Sequence, residues 1–520
     1  MKILLRLASL ILLISIFSIS TTPSVTIAAN PSYNWLQFNG NPQHSGSNTS
    51  ERIILPGTVS SLKRWYQVAL PGVADGAPAY LSAVTTPTGV RDLLFVNTRD
   101  GWIAALDAHT GVIVWSHQNG PGSCHINNGA TVCYTTSSPA IDPNLAYVYS
   151  YGLDGKVHKY QVGTGTESGA PWPETVTLKA FDEKGSSALS IATASGGASY
   201  LYVASAGYPG DQGDYQGHIT AINLSTGAQQ VFNAACSDQA VHFVTNGLPD
   251  CTSVQTAIWS RPGVVYSAAT NRIYMATGNG TFAPASHDWG DTVFALNPDG
   301  TGGAGGNPLD TYTPANFQTL QDTDADLGST DIAILPVPAS SSVQHLAVQG
   351  GKDQLLRLLN LDNLSGQGGT GHTGGEIGAA IPVPQGGLVL TQPAVWVNPA
   401  DGATWVFVAT GNGLSGLKLV VTGGTPSLSP MWQNALGGTS PIVSAGVLFY
   451  ARSGLIQALN PVTGAVLWSD ATIGAIHWES LIVDNGVLYI TDESSHLTAY
   501  SMFGIDPASV HSLNFPIIFH

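Results

Sequence analysis

One spaced element recurs in this chain and narrows what it can fold into. Ala105-x-Asp107-x-x-Thr110-Gly111-x-x-x-Trp115 returns as Ala458-x-Asn460-x-x-Thr463-Gly464-x-x-x-Trp468. Each copy closes a longer unit built of an apolar strand, a turn, a returning strand, a Thr-Gly turn and the Trp. In the first copy Leu93, Phe95 and Asn97 alternate with Leu94, Val96 and Thr98, Asp100-Gly101 makes a hairpin turn, and Trp102 to Leu106 runs back. Period-two alternation with Asp-Gly turn chemistry is the mark of a β-hairpin.

Weaker copies follow in the same order: Tyr147 to Gly165, Leu201 to Val231, Arg272 to Gly300, His345 to Gly366, Trp405 to Trp432 and Val487 to Tyr500. With the two clear ones they make eight. A four-stranded sheet has two apolar faces that it cannot bury alone, so sheets of this kind stack around an axis until the ring closes. The small Ala allows close packing, and the Trp spans the gap between blades. The last copy lacks its Thr-Gly-x-x-x-Trp strand, while an unmatched strand, Leu62 to Gln67, precedes the first. The expectation is an all-β, eight-bladed propeller whose last blade is closed by that N-terminal strand. Composition agrees: charged residues make up 10% of the chain, and 60 glycines and 31 prolines punctuate it, as many short strands and tight turns require.

The N-terminus reads as an export signal. Lys2 and Arg6 precede the apolar stretch Leu7 to Ser18, and cleavage is expected after Ala28. The organisation expected is a signal at 1–28, an N-terminal extension at 29–61, the propeller at 62–502 and a tail at 503–520. No later apolar run reaches membrane length, so a secreted or periplasmic protein without a membrane span is expected once the signal is removed. The four cysteines form two sequence-local pairs, Cys124 with Cys133 and Cys236 with Cys251, the natural guess being two loop-stapling disulfides in an oxidising compartment. The formal net charge of −16 becomes −18 when Lys2 and Arg6 leave, which argues against nucleic acid as a partner.

The repeated element resembles the tryptophan-docking repeat of the quinoproteins, propellers that bind pyrroloquinoline quinone (PQQ). The opening Trp35-x-x-Phe38-x-Gly40-Asn41-x-x-His44-Ser45-Gly46 is similar to their N-terminal segment, and the likeness runs over roughly residues 33 to 502. The nearest pattern is that of the alcohol and polyvinyl-alcohol dehydrogenases, and the resemblance implies four kinds of site residue. Trp259, in Trp259-Ser260-Arg261-Pro262, corresponds to an aromatic floor under the quinone, which a flat ligand needs for stacking. Asn279, in Thr277-Gly278-Asn279-Gly280, corresponds to a calcium ligand, calcium preferring hard oxygen donors. The same tetrapeptide recurs at Thr410 to Gly413, and Asn-Gly is also a common turn signal. Asp324 and Asp326 stand where the resemblance implies a catalytic base, the spacing not choosing between them. Lys352, in Gly351-Lys352-Asp353-Gln354, corresponds to the cation beside the quinone oxygens.

Two departures accompany these matches. The adjacent Cys-Cys pair of the family is absent, and the segment expected to carry a calcium-binding Glu, Ala206 to Asp214, has none, leaving Asp211 or Asp214 as the oxygen donor. Two functions follow. One is a PQQ- and calcium-dependent dehydrogenase oxidising an alcohol, polyol or sugar, passing electrons to a separate acceptor. The other is a non-catalytic propeller that binds a protein or glycan as a scaffold. The chain has no Gly-x-Ser-x-Gly elbow, no His-Glu-x-x-His and no P-loop. His477-Trp478-Glu479, opening the last copy, is an unusual polar cluster that either faces the central channel or is a strand edge.

Overall fold

The eight copies of the repeat fold into eight four-stranded antiparallel sheets in a computed structural model that describes residues 33–120, 133–208, 211, 213–239 and 251–507. Blades 1 to 7 span 79–118, 140–175, 190–233, 265–312, 333–382, 394–434 and 442–470. Blade 8 takes its first three strands from 482–502 and its outermost strand from Leu62–Ala69, which pairs antiparallel with His496–Met502. The expected latch is therefore present. Among the described residues the one α-helix is Phe317–Thr323. The expected signal at 1–28 and the tail from residue 508 onward lie outside the described residues.

Period-two alternation explains the stacking. In blade 1, Leu93 and Phe95 pack with Ile141 and Val148 of blade 2, while Leu94 and Val96 pack with Leu488 and Ile490 of blade 8. All four blade-1 side chains are buried, and each contributes about 1.5–3 kcal/mol of apolar burial. The repeat's Ala105 lies directly opposite Trp115, as Ala458 does Trp468. Each Trp then docks on the following blade. Trp115 donates its indole N–H to the Val162 carbonyl at 2.9 Å, Trp432 to Pro461 at 2.8 Å and Trp468 to Leu62 at 2.9 Å. The Thr-Gly turn completes the joint: Gly165, at φ 69°, sits so close to Trp115 that an added Cβ would come within 2.6 Å of its ring.

Residues 35–48, expected as an extension ahead of the propeller, run across its interior. Trp35 donates to Tyr80 in blade 1, and Ile141 of blade 2, Tyr266 of blade 4 and Val395 of blade 6 donate to the carbonyls of Leu36, Pro42 and Ser45. Ile191 of blade 3 donates to the Gln37 side chain, Ser47–Asn48 pairs with blade 7, and Asn48 donates to Val483 of blade 8. Every one of these partners lies on the first strand of its blade. First strands also touch one another between neighbouring blades, so they surround the axis and this segment crosses it. The buried His44 fixes the crossing through Phe38, Ser190 and Val264.

Of the two disulfides expected, Cys236–Cys251 is formed, with Cα atoms 5.9 Å apart. Cys124 lies outside the described residues.

Candidate active site

A cavity of about 620 Å³ opens among loops from blades 2, 3, 4, 5 and 8. These loops lead into a first strand or join the second and third strands, which puts them at one end of the propeller. Trp259, Asn279, Asp324, Asp326 and Lys352, widely separated in sequence, all line the cavity, and so does Asp211. Asp214, the other candidate oxygen donor, does not. It pairs with Lys179 at 3.3 Å and accepts a hydrogen bond from Gln216 at 3.1 Å.

The local chain geometry explains the convergence. The turn carrying Asn279 is tied to the run before blade 4, Gly278 donating to Ala257 at 2.9 Å and Thr256 donating to the Asn279 carbonyl at 2.8 Å. That run carries Trp259, so the turn and the indole share one wall. Gly278 permits a further approach: an added Cβ would lie 2.3 Å from Asp326 Oδ1 and 3.1 Å from the Trp259 indole nitrogen. Into that space comes the Asp326 carboxylate, which accepts the Asn279 backbone N–H at 2.6 Å and pairs with Lys352. The helix Phe317–Thr323 ends at Asp324, whose left-handed backbone (φ 52°) turns the chain back toward the cavity. Asp324 accepts from the Asn279 amide at 2.9 Å and from Lys352 at 3.1 Å. The second Thr-Gly-Asn-Gly behaves differently, since Asn412 is exposed and does not line the cavity.

Burial separates the two aspartates that spacing left equal. The Asp326 side chain is 7% exposed and that of Asp324 67%. Burial pushes the Asp326 carboxyl above its ordinary range, against the pull of Lys352. Burial alone would lower the Lys352 ammonium, but Asp326 and Asp324 hold it above its usual value. Asn279 Oδ1 is buried without a hydrogen-bond donor among the described residues. An orphan amide oxygen beside two carboxylates is the donor set that a hard cation takes.

Another part of the lining is cationic and aromatic, and short motifs signal it less clearly. Lys184 lies 4.0 Å from the Tyr134 ring centroid and 5.5 Å from that of Tyr208. A short pairing of Glu183–Lys184 with Ala206–Gly207 holds it there. Burial, and then repulsion from Arg261 and Arg99 set against the attraction of Asp75, brings its ammonium down to about 7. Arg261, brought down to about 10 by burial, stands 5.5 Å from the Trp478 ring, and its Nε has no acceptor among the described residues. Arg261 lies within the quoted Trp259 motif, but only the Trp was read from it. Lys184 had as its only signal its rarity, since Lys and Arg together number 17 in the chain. His477 and Trp478 line the cavity too, on the run that leads into the first strand of blade 8.

The comparisons agree with this architecture. Residues 77–171 match the family model described as outer membrane protein assembly factor BamB. A search of curated proteins found no match. Among solved structures, a europium-containing methanol dehydrogenase superposes with a TM-score of 0.63 at 15% identity, covering 90% of this chain and 98% of that one. Quinohemoprotein alcohol dehydrogenases from Comamonas testosteroni (15% identity) and Pseudomonas putida HK5 (12%) each superpose with a TM-score of 0.60, covering 91% of this chain and 81% of theirs. The chain has an eight-bladed β-propeller fold like that of these quinoproteins. The family model covers residues 77–171 alone, and at these identities the likeness to the dehydrogenases is one of fold.

Proposed function

We propose that this protein is an exported PQQ- and calcium-dependent dehydrogenase that oxidises an alcohol, polyol or sugar. The observation that carries the reading is the meeting of Trp259, Asn279, Asp326 and Lys352 in one cavity, with no sequence proximity to bring them there. A volume of about 620 Å³ is within the ordinary range for small-molecule sites, about 300–1,000 Å³. Trp259 would offer its face to the flat quinone, and Lys184 and Arg261 would meet its carboxylates, restoring full charge to Lys184. Asn279 Oδ1, Asp324 and Asp211 would hold calcium. When bound, the quinone supplies the two-electron acceptor that no side chain can. Asp326, buried and held by the Asn279 N–H, takes the substrate hydroxyl proton, and Lys352 offsets the charge that develops beside it.

The same reading takes 1–28 as the export signal and a separate molecule as the electron acceptor. Among the described residues no helix is long and apolar enough to cross a membrane. The test is to incubate purified mature protein with PQQ and calcium, desalt it, and record quinone absorbance and alcohol-dependent dye reduction over a substrate panel. Retained quinone with substrate-dependent reduction is expected. Loss of the quinone on desalting, with no reduction, rejects the enzyme.

The match of residues 77–171 to an assembly-factor family favours a second reading, a non-catalytic propeller that binds a protein or glycan at its rim. That reading predicts an empty cavity in the same assay.

A further inference from the structure

The cavity wall supplied by blade 8 carries a pair of groups that the quinone reading does not use. His477 Nδ1 lies 2.9 Å from Asp75 Oδ2, and the Asp75 side chain is fully buried. Asp75 Oδ1 accepts the Trp478 backbone N–H at 3.0 Å, which fixes the carboxylate in place. The imidazole packs against Trp478 with ring centroids 4.8 Å apart and the planes tilted by 47°, and its side chain is 47% exposed where it borders the cavity. A carboxylate facing Nδ1 places the proton on that nitrogen and leaves Nε2 as a base. Nε2 has no hydrogen-bond partner among the described residues, so it is open to a ligand.

The surrounding charges support this arrangement. Arg99 approaches Asp75 at 3.7 Å and Glu493 at 3.3 Å, so the cation among these acids is a guanidinium. Glu479 accepts the His477 backbone N–H through one oxygen at 2.6 Å. Its other oxygen is buried without a donor among the described residues. Burial, with Asp75 nearby, raises the Glu479 carboxyl to about 8, which favours its neutral form and leaves no buried charge at that oxygen.

We propose that Asp75 and His477 form a second proton-handling dyad of this cavity, in which His477 Nε2 accepts the proton of a ligand hydroxyl and Asp75 is the positioning residue. The ligand O–H bond breaks, its electron pair stays on the ligand oxygen, the proton goes to Nε2, and Nδ1–H remains donated to Asp75. Half exposed, the ring then returns that proton to solvent, a route that the buried Asp326 lacks. The proposal rests on the cavity being the ligand site described above.

The experiment follows His477 itself, with or without cofactor. In the mature protein labelled with ¹⁵N-histidine, long-range ¹H–¹⁵N spectra are expected to show the Nδ1–H tautomer for His477. Diethyl pyrocarbonate, followed by mass spectrometry, is expected to modify it several-fold faster than the other surface histidines. Asp75→Asn, checked for folding by circular dichroism, should reverse the tautomer and slow the modification several-fold. In the PQQ-loaded protein, His477→Gln should lower kcat/KM at least tenfold, retain the quinone, and recover in part with added imidazole. An Nε2–H tautomer in the wild type, or wild-type kcat/KM in His477→Gln, overturns the proposal. Failure to retain PQQ instead rejects the quinone reading and leaves the tautomer and modification rates to decide the dyad.

Discussion

The Asn279 side chain donates its amide hydrogen to Asp324 at 2.9 Å while its own Oδ1, turned inward, is buried with no donor among the described residues. An amide oxygen left this way costs about 1–3 kcal/mol unless something meets it. A bound calcium ion would do so. Terbium, a calcium stand-in, should therefore bind the mature protein and be sensitised by the nearby Trp259, and Asn279→Ala should weaken this binding roughly tenfold. Equal terbium titrations of the two proteins would remove Asn279 from the metal site.

Gly278 owes its place to Asp326. A methyl group at this position would meet Asp326 Oδ1 at 2.3 Å and push the carboxylate off the Asn279 N–H. Gly278→Ala is expected to cost about 1–3 kcal/mol of stability. It should abolish quinone retention at a temperature where the variant is fully folded, read by desalting and circular dichroism together.

The latch strand is held by the same Trp docking as the other joints. Trp468 donates to the Leu62 carbonyl at 2.9 Å and packs edge-on against Tyr500 at 5.4 Å between centroids. Trp468→Phe removes the hydrogen bond and part of the contact area, and is expected to cost about 1–2 kcal/mol. Gly165→Ala, which drives a Cβ into Trp115 and strains a left-handed backbone, should cost more. Denaturant midpoints in the reverse order would contradict the docking account.

A pH effect should appear where blade 1 meets the latch strand of blade 8, at His109 beside Trp65. His109 lies 3.1 Å from both Asp92 and Asp506, and Asp92 first, then Asp506, raise its ring to about 9 against partial burial. A ring held protonated by folding stabilises fully below its unfolded value of about 6.5 and loses that contribution as pH rises through about 9. With its side chain about one-third exposed, solvent screening limits the effect to about 1 kcal/mol. His109→Ala should thus lower the denaturation midpoint at pH 6 and scarcely change it at pH 10.

Much of the scaffold was legible because it is repeated. The Ala-x-Asp-x-x-Thr-Gly-x-x-x-Trp spacing encodes the docking joint directly, and the missing eighth outer strand pointed to Leu62. The site was legible in part. Trp259, Asn279 and Lys352 sit in short motifs, so their meeting could be anticipated. The preference for Asp326 over Asp324 could not, because it depends on burial created by Gly278 and by a helix ending at Asp324. The cationic wall was hidden for a related reason: Lys184 reaches the cavity only through a two-residue pairing with Ala206–Gly207, which leaves no periodic trace. The axial path of residues 35–48 was missed because its hydrogen bonds go to seven different blades rather than to a neighbouring strand.

A quinone in this cavity would rest on Trp259 beside Lys352. A crystal structure of the mature protein grown with PQQ and calcium tests it most directly. The expected result is a quinone stacked on Trp259, with Lys352 beside its oxygens and a calcium ion on Asn279 Oδ1. A cavity that stays empty at saturating PQQ, or a quinone bound away from Trp259, would contradict it.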